Sequence, residues 1–247
     1  MRLSLAWACP DGRDLYESRH PHGRHRLAAG QRPPEMPDAA PLRLHDPRSP
    51  VGESCCVQRK RRSGRGLQEE IILERHPELL FVYNPLFDQT NTSQSLLIAL
   101  RHLKGEDVLV LNGDVVFDPR IIDAMNGCQH SSMAVVKSPV GEEEVKFRLD
   151  GKGRVAAVSK TLSEAPGEAI GINLIRAQDV DLLLLGLERC GPMDYFERGI
   201  EVAIANGLAL SAVDVTDYPC VEIDCIDDLN RAKAIVDAWA SWPAHAR

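Results

Sequence analysis

The chain has 247 residues, 44% of them hydrophobic and 26% charged, a balance that suits one large or two small globular domains with a sizeable core. No apolar stretch approaches the roughly eighteen residues of a membrane span, and the run from Leu3 to Cys9 behind Arg2 is too short for a secretory leader. Seven cysteines, odd in number and without a Cys-x-x-Cys pair, argue against a disulfide framework and a thiolate zinc centre, so a soluble protein of a reducing cytoplasm is expected.

Two compositions are joined in this chain. Residues 1–66 hold 13 Lys and Arg against 7 Asp and Glu, while the remainder holds 16 against 29. Half of the prolines and half of the histidines also fall in 1–66, where sustained helical or strand periodicity is lacking apart from scraps such as residues 27–30. This atypical basic segment reads as disordered, or as the product of an altered reading frame in a GC-rich gene. Its run Gln58-Arg59-Lys60-Arg61-Arg62-Ser63-Gly64-Arg65 has the charge to bind phosphates. Without interleaved aromatics it reads instead as a solvated charge run, and no nucleic-acid partner is expected.

From residue 67 to about 240 a folded α/β domain is expected. Helical spacing over 67–76 stops at Pro77, and 79–83 reads as a strand. Asn91 or Thr92 caps a helix running to Leu103, with Gln94 placed for a capping box. Val108-Leu109-Val110-Leu111 is an unbroken apolar run, the habit of a strand buried on both faces of a parallel sheet, and it leads into Asn112-Gly113-Asp114. Asn-Gly admits a hairpin from here into 115–117. Asp118 as N-cap, Pro119 at the first helical position and the apolar spacing that follows favour strand, acidic loop, helix.

Strands are expected next at 131–137, 145–149 and 154–160, the last two joined as a hairpin by Asp150-Gly151-Lys152-Gly153. A strand at 169–176, helices at 180–187 and 195–206, strands at 208–215 and 221–223, and a closing helix over 227–239 complete the pattern. Such alternation predicts a Rossmann-like, mixed but mostly parallel sheet flanked by helices.

Ligands of such sheets collect beyond the carboxyl ends of the strands, which puts Asp114 in the crevice. A second acidic turn, Glu222-Ile223-Asp224, lies far downstream; the two aspartates can share one divalent cation if they meet, or Asp224 serves only as a cap for the helix behind it. Lys146 and Lys160 reach past strand ends toward a phosphate, or lie on a solvated face. Glu168 is an acid before a strand with either a pocket role or none. Asn91 and Ser95 lie one helical turn apart, with Asn91 placed to be the helix cap. Tyr195 and Phe196 either flank a cation or enter the core.

Residues 66–234 resemble the nucleotidyltransferases that share a glycosyltransferase-A-like, Rossmann-type fold, and within them the phosphocholine and phosphonate cytidylyltransferases. The likeness is carried by Asn84-Pro85, Thr90-Asn91, Ser95-Leu96, Leu111-Asn112-Gly113-Asp114, Glu144-Val145-Lys146, Gly153-Arg154-Val155 with Lys160, Gly167-Glu168, Gly171-Ile172, Tyr195-Phe196-Glu197, Glu222-Ile223-Asp224 and Asp228-Leu229 in one order. What the resemblance implies is transfer of a nucleotidyl group from a nucleoside triphosphate, CTP by expectation, to a phosphate or phosphonate of a small acceptor, with release of pyrophosphate. It assigns magnesium to Asp114 and Asp224, and catalysis to these two with Lys160. Nucleotide contacts fall to Asn91, Ser95, Asn112 and Gly113, and acceptor contacts to Lys146, Glu168 and Glu222.

Three competing readings stand beside it: a sugar-phosphate nucleotidyltransferase of the same fold, a non-catalytic remnant or binding module, and a glycosyltransferase. The last would want an Asp-x-Asp pair where this chain has Asp114-Val115-Val116. The chain also departs from the family at its start, where relatives have a first strand, a glycine-rich triphosphate loop and a helix. Leu27-Ala28-Ala29-Gly30 is followed by Gln31-Arg32-Pro33-Pro34, and prolines lack the amide hydrogens of a phosphate cradle. The first strand-loop-helix unit is thus expected to be missing, with the chain destabilised and its activity impaired. Cys220-Val221 stands where relatives place a tryptophan, removing an aromatic wall for an aminium acceptor.

Overall fold

Every residue of the run Val108–Leu111 is buried, because the strand that carries it, β4 (Asp107–Asn112), is covered on both faces. Val108 and Val110 face one apolar cluster and Leu109 and Leu111 the other. The computed structural model describes residues 3–8, 55–58, 80–103 and 105–240. The helix expected over 67–76 and the scrap at 27–30 lie outside them.

Around β4 the main sheet runs in the order β10-β6-β9-β4-β1-β2-β3, with the hairpin β7–β8 joined to it through β9. Its members are β1 (Leu3–Ala8), β2 (Cys55–Gln58), β3 (Leu80–Tyr83), β6 (Ser131–Val136), β7 (Lys146–Leu149), β8 (Val155–Ser159), β9 (Glu168–Ile175) and β10 (Leu210–Asp214). β3, β2, β1 and β4 are mutually parallel, β9 is antiparallel to β4 and β6, and β10 is parallel to β6. This is the mixed, largely parallel α/β sheet that the alternation of elements predicts.

Correction is needed at the amino terminus. The first strand is present: Leu3–Ala8 pairs with β4 over six residues, Leu3 with Asp107 through to Ala8 with Asn112. Six residues make a strand of ordinary length, and the ladder of β4 supplies the backbone partners. β2 also comes from 1–66, so the sheet crosses the expected boundary at residue 66. The loop and helix expected with that strand lie outside the described residues.

No hairpin forms at Asn112-Gly113. The following strand β5 (Val115–Phe117) leaves the main sheet and pairs antiparallel with β11 (Cys220–Glu222) in a separate two-stranded ribbon. Asn112 is held differently: Gly171, at φ +71°, passes so close that a Cβ there would lie 2.4 Å from Asn112 Cγ.

Helix α1 (Thr92–Leu100) is capped by Asn91, whose Oδ1 accepts from Thr92 N at 2.7 Å. It ends three residues before Leu103, and the capping box does not form. Gln94 instead reaches Cys190 O at 3.5 Å, because the Asn91 amide is already satisfied by Pro192 O at 2.7 Å. In α2 (Arg120–Asn126) the buried Asp118 accepts from Arg120 N at 2.9 Å, serving the first turn as expected.

Helices α1, α3 (Val180–Glu188) and α4 (Phe196–Ala205) cover one face of the sheet and α2 the other. The last helix, α5 (Ile226–Ala240), follows β11. Among the described residues no helix is long and apolar enough to cross a membrane. At the amino-terminal edge of β4, Arg176 donates to Asp107 Oδ2 at 2.8 Å and to the carbonyls of Asn126 and Cys128 at and just beyond the end of α2, and Ser131 Oγ donates to Asp179 Oδ2 at 2.6 Å. This polar network fastens the sheet edge opposite the crevice.

α3 and α4 touch through glycine. A Cβ on Gly186 would lie 2.1 Å from the Gly199 carbonyl oxygen, so no side chain fits without parting the helices. Gly186→Ala is therefore expected to destabilise the fold by about 1–3 kcal/mol through overpacking, although alanine is the better helix former. Urea unfolding of the two proteins checks it, and a stabilised variant would refute the close packing.

Candidate active site

Strand order 3-2-1-4 reverses direction between β1 and β4, and in open α/β sheets ligands bind beyond the carboxyl ends of the strands at such a point. Asp114 stands there, two residues past the end of β4. The ribbon then brings the second acidic turn to it. Glu222 pairs with Val115, and the Ile223 amide donates to the Asp114 carbonyl at 2.8 Å. Residues more than a hundred positions apart thus share one edge.

The carboxylates are electrostatically coupled. Asp114 is pushed up from the usual carboxylate range to about 6, first by burial and then by the charge of Asp224, with its own backbone amide offsetting part of this. Glu222 is lifted to about 7 by desolvation, then by Asp114 and Asp224, while Lys160 lowers it. Glu222 keeps an open face to solvent, so the direction of its shift rests on the neighbouring charges as much as on burial. Glu168 is raised by desolvation and by Glu144.

A metal fits this donor set. Asp114 Oδ1 is buried without a hydrogen-bond partner, an arrangement that costs free energy unless something fills it. Asp228 reaches back from the first turn of α5, its Oδ2 accepting from the amides of Asp224 and Cys225 at 3.1 and 3.0 Å and so fixing the backbone of the acidic turn. Among the described residues no group of three or more His, Cys, Asp or Glu forms a site by itself. That is compatible with magnesium, which takes one or two carboxylates and completes its shell with water and substrate phosphate.

Lys160 lies between this edge and a cleft of about 350 Å³ lined by Met193, Asp194, Tyr195, Glu197, Arg198 and Glu201 among others. Its Nζ sits 5.1 Å from the Tyr195 ring centroid, and its charge lowers the pKa of both Glu222 and Glu197. Lys146 is used differently: its Nζ donates to the Lys160 carbonyl at 2.9 Å, tying the start of β7 to the end of β8. Tyr195 and Phe196 divide their roles, the first walling the cleft and the second lying in the core at 2% exposure.

Asp114, Glu222, Asp224 and Lys160 are therefore together, with Glu168 alongside through its effect on Cys220 and Glu222. Asn112 and Gly113 lead directly into the acidic edge. Asn91 and Ser95 lie at the start of α1. Asn91 is buried as the helix cap, and Ser95 Oγ accepts from Asn84 Nδ2 at 3.0 Å. Glu197 and Asn84 enter the sequence reading only as part of the resemblance, with no role assigned. Glu197 is raised to about 7 chiefly by desolvation, which an acid in the first turn of a helix does not announce. Asn84 is 1% exposed and braces the loop after β3 by donating to Thr90 Oγ1 and accepting from Leu86 N.

Neither a protein-family model nor a curated protein matches the chain. Solved structures share its fold. The inositol-1-phosphate CTP transferase from T. maritima superposes with a TM-score of 0.65 at 15% identity, covering 99% of this chain and 98% of its own. The CTP:phosphocholine cytidylyltransferase from Streptococcus pneumoniae gives 0.63 at 12% identity over 96% and 100%. A putative glucose-1-phosphate thymidylyltransferase from Bacillus anthracis gives 0.50 at 13% over 74% and 75%.

Raised carboxylates bind protons more tightly in the folded state, so stability is lost as pH climbs from the unfolded values near 4 through the folded values of about 6 and 7. Asp214 and Asp228, each lowered to about 2, contribute stability that is complete above about pH 4 and does not oppose this trend. Without divalent cations the melting temperature is expected to fall between pH 5 and pH 8. Asp114→Asn should raise it at pH 8 by the equivalent of roughly 1–3 kcal/mol. Differential scanning fluorimetry across this range tests both, and a less stable Asp114→Asn would contradict the buried-charge account.

Proposed function

We propose that this chain is a nucleotidyltransferase that moves a cytidylyl group from CTP to the phosphate or phosphonate oxygen of a small acceptor and releases pyrophosphate. One observation carries the reading: the Asp114 and Glu222-Ile223-Asp224 turns joined at the switch point of the sheet, with a buried oxygen of Asp114 unpartnered. The shared fold with two CTP-dependent transferases supports the choice of nucleotide.

In this reading the acceptor oxygen attacks the α-phosphorus in line, the new P–O bond forms as the bond to the β-phosphate bridge breaks, and the electron pair leaves with pyrophosphate. Positioning and charge neutralisation supply most of the rate in such a transfer. Asp114 and Asp224 would hold magnesium, which when bound would neutralise phosphate charge. Lys160 offers its ammonium to the acceptor phosphate from the mouth of the cleft. Glu168 and Glu222 line the acceptor side, and Asn112 and Gly113 border the nucleotide. Lys146 acts through the Lys160 carbonyl rather than on the substrate, and Asn91 and Ser95 shape the β3–α1 edge.

Turnover of this chain is expected to be slow, below about 1 s⁻¹, the lower end of the ordinary range. The sequence after β1 carries no closely spaced glycines of the kind that relatives use to offer amides to a triphosphate. Pyrophosphate release with CTP, magnesium and phosphocholine, 2-aminoethylphosphonate, inositol 1-phosphate or glucose 1-phosphate tests the assignment and ranks acceptors. Asp114→Ala and Asp224→Ala are each expected to lower the rate about a hundredfold or more with the fold retained. Unchanged rates in these variants, or no turnover and no thermal stabilisation by any nucleotide, would refute it in favour of a non-catalytic module.

A further inference from the structure

The ribbon that joins the two acidic turns is short and stands apart from the main sheet. β5 and β11 pair through only three residues each, and an isolated two-stranded ribbon is marginal in water. A slip of one residue would turn each side chain to the other face and part the carboxylates. Something must therefore fix the register, and the far end of the ribbon has it.

Asp118, directly after β5, is fully buried, and its amide extends the ladder by donating to Pro219 O at 2.9 Å. Its carboxylate takes a two-pronged guanidinium from Arg120, Nε to Oδ1 at 3.0 Å and Nη2 to Oδ2 at 2.7 Å, besides the Arg120 amide. The guanidinium lies over the ring of Tyr218, 5.1 Å from its centroid, in the turn that delivers β11. Tyr218, like Val115, also packs against the cluster that holds Phe117. One cation thus ties the exit of β5, the first turn of α2 and the entry to β11 at one point. The opposite end of the same ladder is the Ile223–Asp114 hydrogen bond at the metal edge.

We propose that Asp118, Arg120 and Tyr218 are positioning residues that lock the β5–β11 register and thereby set the affinity of the Asp114–Asp224 edge for a divalent cation. The inference rests on the metal reading given above. None of the three touches substrate, so their effect passes through the ribbon. Groups bonded directly to a metal ligand commonly carry about 10–100-fold in affinity, and the lower end of that range is expected for these residues, which act on the ligands only through the ribbon.

Mn²⁺ binding to the full chain, followed by the electron paramagnetic resonance of the free ion, tests it together with hydrogen exchange at the Ile223 amide. Arg120→Ala is expected to weaken Mn²⁺ binding about tenfold or more and to speed Ile223 exchange. Tyr218→Ala should do the same, and Tyr218→Phe, which keeps the ring face, should bind as the unaltered protein does. The Tyr218 pair decides the matter should Arg120→Ala not fold. Asp224→Asn should lose the ion while keeping Ile223 protected. Equal Mn²⁺ binding by the unaltered chain and Asp224→Asn would overturn the metal reading and this inference with it. Undiminished binding by Arg120→Ala or Tyr218→Ala, with Asp224→Asn defective, would overturn this inference alone.

Discussion

The antiparallel pairing of β5 with β11 is the constraint on which the rest depends. Three carboxylates, Asp114, Glu222 and Asp224, repel one another and would separate in a freely moving chain. Backbone hydrogen bonds hold them together: Glu222 opposite Val115, and the Ile223 amide on the Asp114 carbonyl. The chain before β5 is anchored in a strand covered on both faces, and the chain after β11 passes into α5 through the Asp228 cap. A local edge of negative charge is thus maintained by a fold whose stability is built elsewhere, in the two apolar clusters on either side of β4.

That arrangement divides the molecule into a stable end and an active end. At the amino-terminal edge of β4, Asp107, Arg176 and Ser131 are mutually satisfied, and their network stabilises without tension. At the carboxyl edge the groups are raised, buried or unpartnered, as expected where a fold holds side chains ready for a charged ligand. Lys160 is the hinge of this electrostatic picture. It tempers Glu222 on one side and Glu197 on the other, and its backbone is steadied by Lys146.

Much of this was legible in the residues. The apolar run of β4, the caps at Asn91 and Asp118 and the β7–β8 hairpin follow from periodicity and turn chemistry, because each is decided by neighbours in the chain. Distant partners decided what was missed. Gln94 has the spacing of a capping box, but the Asn91 amide is taken by Pro192, which no local pattern reveals. Lys146 has the look of a phosphate ligand, and its bond to the Lys160 carbonyl joins two strand ends that no local pattern connects. Leu3–Ala8 lay hidden in a segment of unfavourable composition, because a strand can draw its backbone partners from β4 however its own flanks read. Asn112-Gly113 carries a hairpin signal, yet β5 finds β11 a hundred residues later, a choice that only the assembled edge dictates.

The central claim is that Asp114 and Asp224 share one hard cation beside the triphosphate. Crystals soaked in Mn²⁺ and CTP, measured at the manganese absorption edge, test it most directly. The account predicts a single strong anomalous peak bound to a carboxylate oxygen of each residue, at about 2.1–2.3 Å. A peak elsewhere, or Asp114 and Asp224 carboxyl groups more than about 8 Å apart, too far for ligand bonds of that length to share one ion, would contradict it.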